Sequence, residues 1–515
     1  MARKKGWAKR LYQFSKATHK YIGIGLSVFL LWMSASGIIL NHPDWFASFG
    51  VHKSLVPGEY HPQHWNRGTM NQAAFIGQDT VIFGGKQGVW MSTDGGKSFR
   101  SVMSEAFSSS PYFKKTNALL YLKEKQTLMV GTFGGLWAFH LPSLAWRKIN
   151  LSEAHPHIVK LLRRNDQLLA FSKSHVYGAE ISGFNFKKLS MKQAPRESMD
   201  LITYTFALHS GWLWGMPGRL VYDLVSLVLI FLTVTALYIT FRKTKKKKPK
   251  PKRSNKLLAF CIRQHTKIGV WVLAFLLVIG ATGIFMRPPL LIALVNGEVP
   301  TAWVPGYMLE NPWYHSIRNA VYDGKNDRII IDTTEGLYAG KADLSEEFRP
   351  VSWDVNIFVM GASVMEQQSN GRFLVGSFYG LFDYKEGEPF AQDVLTKKKV
   401  EPYKSMERPS QFMTTAYFQT PDSVRYLNTY GMGIIPIDRP KDRTLFPMPE
   451  EIRDNYRMPL WNYMFELHNA RLLRPVFGKW VILFIPLTGL LFLFICFSGL
   501  YEYLYRNRKK LSLRR

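Results

Sequence analysis

The chain has 515 residues, 47% of them apolar, only two cysteines and a formal net charge of +30. That length admits several domains. Two cysteines cannot build a disulfide framework, and the absence of Cys-x-x-Cys-His excludes c-type haem attached in the usual way. The charge does not point to nucleic acid, because it is concentrated: residues 1–21 hold seven Lys/Arg, 242–267 hold twelve and 506–515 hold six, with no acid in any of the three patches.

Each basic patch flanks an apolar run. Four runs, near 22–40, 220–241, 260–286 and 481–505, reach the roughly 20 residues that a spanning helix needs. Positive charge collects on the cytoplasmic side of a membrane, so both termini and the middle loop are expected there and the two long polar segments outside. The expected protein is a multi-pass membrane protein with a large extracytoplasmic domain. Lipid is its first partner, and nucleic acid is not one. The first run exceeds a signal-peptide core, and Asn41-His42-Pro43 follows it where small cleavage-site residues would stand, so it reads as an uncleaved helix.

In chain order the segments are a cytoplasmic lead-in and first helix (1–42), a first outer β half (43–200), a second helix (201–242) and a basic linker (243–256). A third helix (257–287), a second outer β half (288–458) and a fourth helix with a basic tail (459–515) complete the chain. Residues 7–18 read as an amphipathic lead-in at the inner surface. Cys261 and Cys496 read as small buried apolar residues. Trp212, Trp214, Trp303 and Trp313 read as interfacial belt residues.

The outer halves repeat one pattern: an apolar strand, a glycine turn, then a strand of Gly-apolar-aromatic character. Thr80-Val81-Ile82-Phe83-Gly84 with Gly88-Val89-Trp90 is the first case, and Thr127-Leu128-Met129-Val130-Gly131 with Gly135-Leu136-Trp137 the second. Gln167–Phe171 with His175–Gly178 is the third. Arg328–Ile331, Arg372–Gly376 and Val424–Leu427 head three more in the second half. The spacing near 40 residues is that of propeller blades, so the halves are expected to close one all-β propeller of six or more blades; two separate small β domains are the alternative. Ser92-Thr93-Asp94-Gly95-Gly96-Lys97-Ser98-Phe99 fits an Asp-box hairpin, a structural motif.

Four histidines carry the chemistry. His19 and His265 stand at the cytoplasmic ends of helices one and three, in near copies: Thr18-His19-Lys20-Tyr21-Ile22-Gly23 and Gln264-His265-Thr266-Lys267-Ile268-Gly269. Each helix continues to a small pair, Ser36-Gly37 or Thr282-Gly283. His209 and His468 stand at the outer ends of helices two and four, so the chain reads as a tandem duplication. Duplicated bundles pack about a pseudo-twofold axis, which would bring His19 to His265 at the inner face and His209 to His468 at the outer face. Paired neutral imidazoles across a helical bundle suit a b-type haem, since two ring-nitrogen ligands leave no open iron position and favour electron transfer. The pattern predicts two haem b groups, with a zinc or proton site at one face as the competing chemistry.

Gly23, Gly25, Gly269, Gly211 and Gly215 suit the approach of a flat macrocycle. Arg219, Arg471 and Lys479 could pair with outer propionates, and Arg10, Lys20, Arg263 and Lys267 with inner ones. His42 has no counterpart in the second copy, where Pro288 stands, and reads as a turn residue. His61-x-x-His64 and His155-x-His157 read as surface histidines. Asp223 and Glu502 receive no role.

In these residues the chain resembles the PepSY-associated transmembrane helix family, which includes iron-regulated ferric-siderophore reductases. The resemblance rests on His19…Gly23…Ser36-Gly37, on His265…Gly269…Thr282-Gly283, and on Leu208, His209, Gly211, Pro217, Gly218 and Arg219. The fourth helix keeps Leu467-His468 and Gly478-Lys479 but lacks the proline-glycine step. The resemblance implies a haem-containing membrane reductase of extracytoplasmic ferric complexes, with a propeller-like domain in place of the PepSY module. No Gly-x-Gly-x-x-Gly motif for flavin or nicotinamide is evident, so the expected donor is a cytoplasmic reductase or membrane quinol, and the expected acceptor a ferric siderophore or other ferric chelate. A non-catalytic, membrane-anchored propeller acting as sensor or assembly protein is the reading from another class.

Overall fold

The computed structural model describes residues 2–103, 110–195, 197–244, 252–295, 297–304, 311–438 and 446–512. Residues 245–251, most of the basic linker, lie outside the described residues. The chain divides into two compact units: Met1–Pro43 with Glu197–Tyr307 and Met464–Arg515, and Asp44–Arg196 with Met308–Tyr463.

The first unit is helical. One continuous helix, Ala2–Asn41, runs from the basic lead-in through the first apolar run. Three stretches, Gly6–Asn41, Trp212–Arg242 and Arg471–Arg508, are each long and apolar enough to cross a membrane. The third apolar run, expected as one span, is instead two helices, Lys256–Trp271 and Leu273–Phe285, that meet at 65°. Val272 leaves helical geometry between them, with φ −93° and ψ 2°. The break falls in Val270-Trp271-Val272, where β-branched and aromatic side chains lose rotamer freedom and hold a helix weakly.

Runs two and four share an approach. Each follows a short helix, Leu201–Ser210 or Leu460–His468, that turns through a left-handed residue, Gly211 (φ 79°) or Ala470 (φ 57°). At Gly211 only glycine fits, because a Cβ would lie 2.7 Å from the Gly218 carbonyl oxygen. The first helix packs beside the second and fourth, and the third does the same. Leu26, Phe29 and Leu30 of the first meet Val225 and Leu232 of the second, Leu276 of the third, and Phe492, Ile495 and Cys496 of the fourth in one apolar core. Cys261 and Cys496 are both free and buried, as expected.

The second unit is all-β. Among the described residues, six antiparallel meanders of three to five strands begin at Gln72, Thr116, Ile158, Ile317, Val364 and Thr414. All six were legible as sequence repeats. Each sheet packs on the next: Ile82 and Val89 on Leu128 and Val130, Met129 and Leu136 on Leu161 and Leu168, and Leu169 and Phe171 on Ile329 and Ile331. Ile330 then meets Val375, and Leu374 meets Leu427 and Ile435. Phe418 and Tyr426 of the last sheet return to Val81 and Phe83 of the first. The first strands of the six sheets neighbour one another in the same cyclic order.

This packing explains the apolar runs. Successive strand residues point to opposite faces, and each second strand is covered on both, so Ile330 faces one neighbouring sheet and Ile329 and Ile331 the other. Such strands read as continuous apolar stretches rather than alternating ones. Ser92–Phe99 forms the expected hairpin: Asp94 Oδ1 accepts from Ser92 Oγ at 2.6 Å and from the Lys97 and Ser98 amides at 3.0 Å, and Phe99 stacks on Phe83 at 4.7 Å. Trp313, expected at a membrane interface, is instead 2% exposed in the core of the third and fourth sheets. Its Nε1 donates to the Met191 carbonyl at 2.7 Å, and a buried indole with a satisfied N–H is a core residue.

Phe83 is fully buried where the last sheet meets the first. Phe83→Ala is expected to destabilise the β unit by about 3–5 kcal/mol, read as a lowered urea midpoint of tryptophan fluorescence.

Candidate functional site

The four singled-out histidines form two pairs inside the helical unit. The His19 and His265 ring centroids lie 6.4 Å apart with planes at 90°. Those of His209 and His468 lie 6.3 Å apart at 71°. The diagonal placement of helices one and three, and of two and four, makes these pairs.

Every one of the four rings is held by its Nδ1. His19 Nδ1 lies 2.9 Å from the Ile495 carbonyl and 3.0 Å from Ser498 Oγ. His468 Nδ1 lies 2.8 Å from Ser36 Oγ, His209 Nδ1 3.0 Å from Thr282 Oγ1, and His265 Nδ1 3.1 Å from Thr235 Oγ1. The hydroxyl protons are already engaged. Ser36 donates to the Trp32 carbonyl at 2.7 Å, Thr282 to Val278 at 2.6 Å, Thr235 to Phe231 at 2.8 Å and Ser498 to Ile495 at 2.9 Å. Each hydroxyl therefore accepts from its imidazole, and the Ile495 carbonyl can only accept. Nδ1 carries the proton in all four rings, and Nε2 keeps its lone pair. This is the second-shell arrangement of metal-ligating histidines, whose other ring N–H is tied to a neighbour.

The pair geometry suits one iron between two Nε2 atoms. Ligation at about 2 Å on each side sets the centroids roughly 6 Å apart, close to both observed separations. Zinc wants three or four protein ligands, and among the described residues no group of three or more His, Cys, Asp or Glu gathers. The donor set therefore fits haem better than the competing zinc site. Room beside the rings agrees. A Cβ added at Gly23, one turn from His19, would meet nothing within 4 Å, and at Gly269, one turn from His265, only Leu232 at 3.9 Å. Ser36 lies 17 residues beyond His19 on one helix, a rise of about 25 Å that approaches the hydrocarbon thickness of a bilayer.

The Ser/Thr-small pairs noted on helices one and three thus serve the histidines of helices four and two. Thr235 and Ser498, which serve His265 and His19, escaped sequence reasoning. The signal was present: Thr235-Ala236 and Ser498-Gly499 repeat the same pair on the other two helices.

The proposed propionate partners are variously engaged. Arg219 is buried, with its guanidinium 4.6 Å above the Trp212 ring and Nη1 3.4 Å from the Asn41 carbonyl. Arg471 pairs with Glu466 at 3.0 Å. Lys479 lies over Trp480 at 5.8 Å, and Lys20 and Lys267 lie over Tyr21 and Trp271, each at 5.1 Å. The left-handed turn at Gly211 accounts for that glycine without a macrocycle.

Two sequence expectations need correction. Asp223, given no role, is the partner of His42: both are buried, with His42 Nε2 2.5 Å from Asp223 Oδ2. Asn41 Nδ2 joins them, donating to the Ser210 carbonyl at 3.2 Å beside His209. His157, expected at the surface, is buried in the β unit, stacked on Phe133 at 4.8 Å, with Nε2 3.2 Å from Asp44 Oδ1. His61 donates to the carbonyls of Lys53 and Val56 at 3.1 and 3.0 Å, a structural bond.

With this geometry in hand, comparison with known proteins is informative in one respect. The model of the PepSY-associated TM region matches residues 1–243 and again 191–356. No curated protein matches the chain in sequence. Among solved structures, the extracellular domain of a one-component system from B. thetaiotaomicron aligns at 11% identity over 75% of this chain and 39% of its own, with TM-score 0.31. A hybrid two-component system of the same organism gives 10%, 72%, 39% and 0.35, and a gluconolactonase-family structure 10%, 72%, 89% and 0.33. The chain thus spans 39% of the length of the first structure. Likenesses this weak say nothing about activity.

A Cβ at Gly499 would lie 3.0 Å from His19 Cε1, and at Gly283 3.1 Å from His209 Cε1. Gly499→Val and Gly283→Val are each expected to displace the facing imidazole and break its Nδ1 hydrogen bond, read as a lowered thermal unfolding midpoint, while Gly6→Ala, where a Cβ meets nothing within 4 Å, leaves the midpoint within error.

Proposed function

The chain belongs to the family of the PepSY-associated TM region, and on that footing we propose that it conducts electrons across a bacterial cytoplasmic membrane to a ferric chelate outside. Positive charge collects on the cytoplasmic side of a membrane, so three basic patches flanking four runs, with the bent third counted as one span, support a reading with both termini and the middle loop inside. The β unit then faces outward. Its six shared cores, cyclic in order, support reading it as a six-bladed propeller.

The observation that carries this function is the double histidine geometry: two facing pairs, with every Nδ1 proton tied down. His19 and His265 would hold an inner haem b, and His209 and His468 an outer one. When bound, such a group supplies an iron that cycles between ferric and ferrous states. The chain's own contributions are specific. Ser36, Thr282, Thr235 and Ser498 keep each ring in the tautomer that presents Nε2. Two imidazoles per iron leave no coordination position for oxygen. Leu26, Phe29, Leu232, Leu276 and Phe492 pack into one apolar core among the helices that carry the two pairs. Arg219 and Lys479 remain the residues proposed to face outer propionates. Electrons enter from a cytoplasmic reductase or membrane quinol and leave to a ferric siderophore or other ferric chelate.

The purified protein is expected to show split α and β bands on dithionite reduction, and a colourless protein removes this reading. His209→Ala and His468→Ala should each abolish the same haem signal, and His19→Ala and His265→Ala the other. If the losses group in any other way, the pairing is wrong.

A further inference from the structure

One edge of the β unit concentrates positive charge that the proposed function does not use. It is the edge where first strands begin and second strands end, as the pairs Thr116↔Thr132, Ile158↔Ser172 and Ile317↔Thr333 define it. Around it, in ring order, stand Arg67, Lys86, Lys115, Lys173 and Arg318. Lys115 Nζ lies 4.2 Å and Lys173 Nζ 5.0 Å from the centroid of the Phe133 ring. The Arg67 guanidinium and Lys86 Nζ share the Tyr430 ring, at 5.2 and 5.4 Å.

The carboxylates at this edge are few and occupied. Asp44 bonds His157 and partly offsets Lys173, and Asp332 accepts from the Ala362 amide at 2.7 Å and partly offsets Arg318. Glu335 stands in the adjoining turn, where its amide donates to Thr333 Oγ1. Among the described residues Lys86, Lys115 and Lys173 form no ion pair. Burial, with Lys86 and Lys173 adding repulsion, pushes the Lys115 ammonium down to about 7. Burial, opposed by Asp44 and aided by Arg318, pushes Lys173 down to about 8. Crowded, desolvated ammonium groups over an aromatic face are costly in a protein without a compensating anion, and such groups gather where a ligand supplies one.

The other side of the same edge is aromatic. Phe378 and Tyr430 follow the second strands of the fifth and sixth sheets, 5.4 Å apart, and Phe358 stacks on Phe378 at 5.6 Å. All three rings are half-buried. Cations on four sheets thus share this edge with flat aromatic rings on the other two.

We propose that this edge is a cradle for a polyanionic iron chelate with aromatic donor groups, of the ferric tris-catecholate class. The proposal rests on the reading of the chain as a ferric-chelate reductase and narrows its substrate. The ammonium and guanidinium groups meet the chelate's charge, and Phe378 and Tyr430 meet its rings. A neutral ferric trihydroxamate offers neither match, and ferric citrate offers only the charge.

The test is tryptophan-fluorescence titration of the full chain in detergent with three probes: a ferric tris-catecholate, ferric citrate and a neutral ferric trihydroxamate. The catecholate is expected to bind at least tenfold more tightly than either of the others. Lys115→Gln with Lys173→Gln is expected to weaken it at least tenfold, whereas Lys115→Arg with Lys173→Arg retains it. Since both ammonium groups are crowded and neither is ion-paired among the described residues, the glutamine variant keeps or raises its unfolding midpoint, which serves as the fold control. Wild-type affinity is expected to fall from pH 7 to pH 9, as these two lysines, facing Lys86, His157, Asp44 and Arg318, lose their protons. Equal affinity for the trihydroxamate or for citrate overturns the proposal, as does an unweakened glutamine variant. Haem absorbance on the same samples separates the two readings. Charge-selective binding by a colourless protein keeps the cradle and removes the reductase, and a haem-loaded protein indifferent to chelate charge does the reverse.

Discussion

The membrane unit depends on a hydrogen bond made four times, from an imidazole Nδ1–H to a serine or threonine hydroxyl on the neighbouring helix. Each apolar run, with its lead-in, contributes one histidine and one hydroxyl. Runs one and four exchange them, and runs two and three exchange them. The histidine pairs themselves run across the diagonals, one to three and two to four. Neighbours are therefore joined by hydrogen bonds and diagonals by facing rings, so no helix can slide without disturbing both. Inside a membrane there is no water to replace a lost partner, so a ring that loses its hydroxyl loses its orientation as well.

Much of this was legible in the residues. The near copies around His19 and His265 marked a duplication, a duplication implies a symmetric pairing, and the two ring centroids lie 6.4 Å apart. The hydroxyls were harder to read, because a pattern sought within one helix cannot show that Ser36 serves a histidine more than 400 residues away. The bend at Val272 was hidden for a similar reason: composition makes the third run continuous, and only local backbone geometry breaks it. Asp223 looked idle because its partner His42 lies on another helix.

The β unit was easier to read in number than in surroundings. Runs such as Ile329-Ile330-Ile331 announce strands covered on both faces, and six of them announce six sheets. Period alone could not separate a buried histidine from an exposed one, so His157 was misplaced, and so was Trp313. Burial here follows from which sheets are neighbours, a long-range property. The same holds for the cationic edge, whose members are scattered from Arg67 to Arg318 and meet only because the first strands gather.

The junction of the last sheet with the first has a consequence for how the molecule is made. Among the described residues the sixth sheet takes no strand from the N-terminal half; packed side chains and a few bonds to loop backbone, such as the Arg67 amide to the Tyr430 carbonyl at 2.9 Å, join it to the first. Sheets one to three come from residues before 196 and sheets four to six from residues after 308. A ribosome adding about 5–20 residues per second leaves the early half waiting on the order of ten seconds or more for the late one. During that interval Phe83 and Phe171, later among the most deeply buried side chains, have no opposite sheet to cover them. Final closure must therefore be a late step that follows delivery of the second loop. Any cellular factor that guards newly made chains against clumping would find its target in those two uncovered faces.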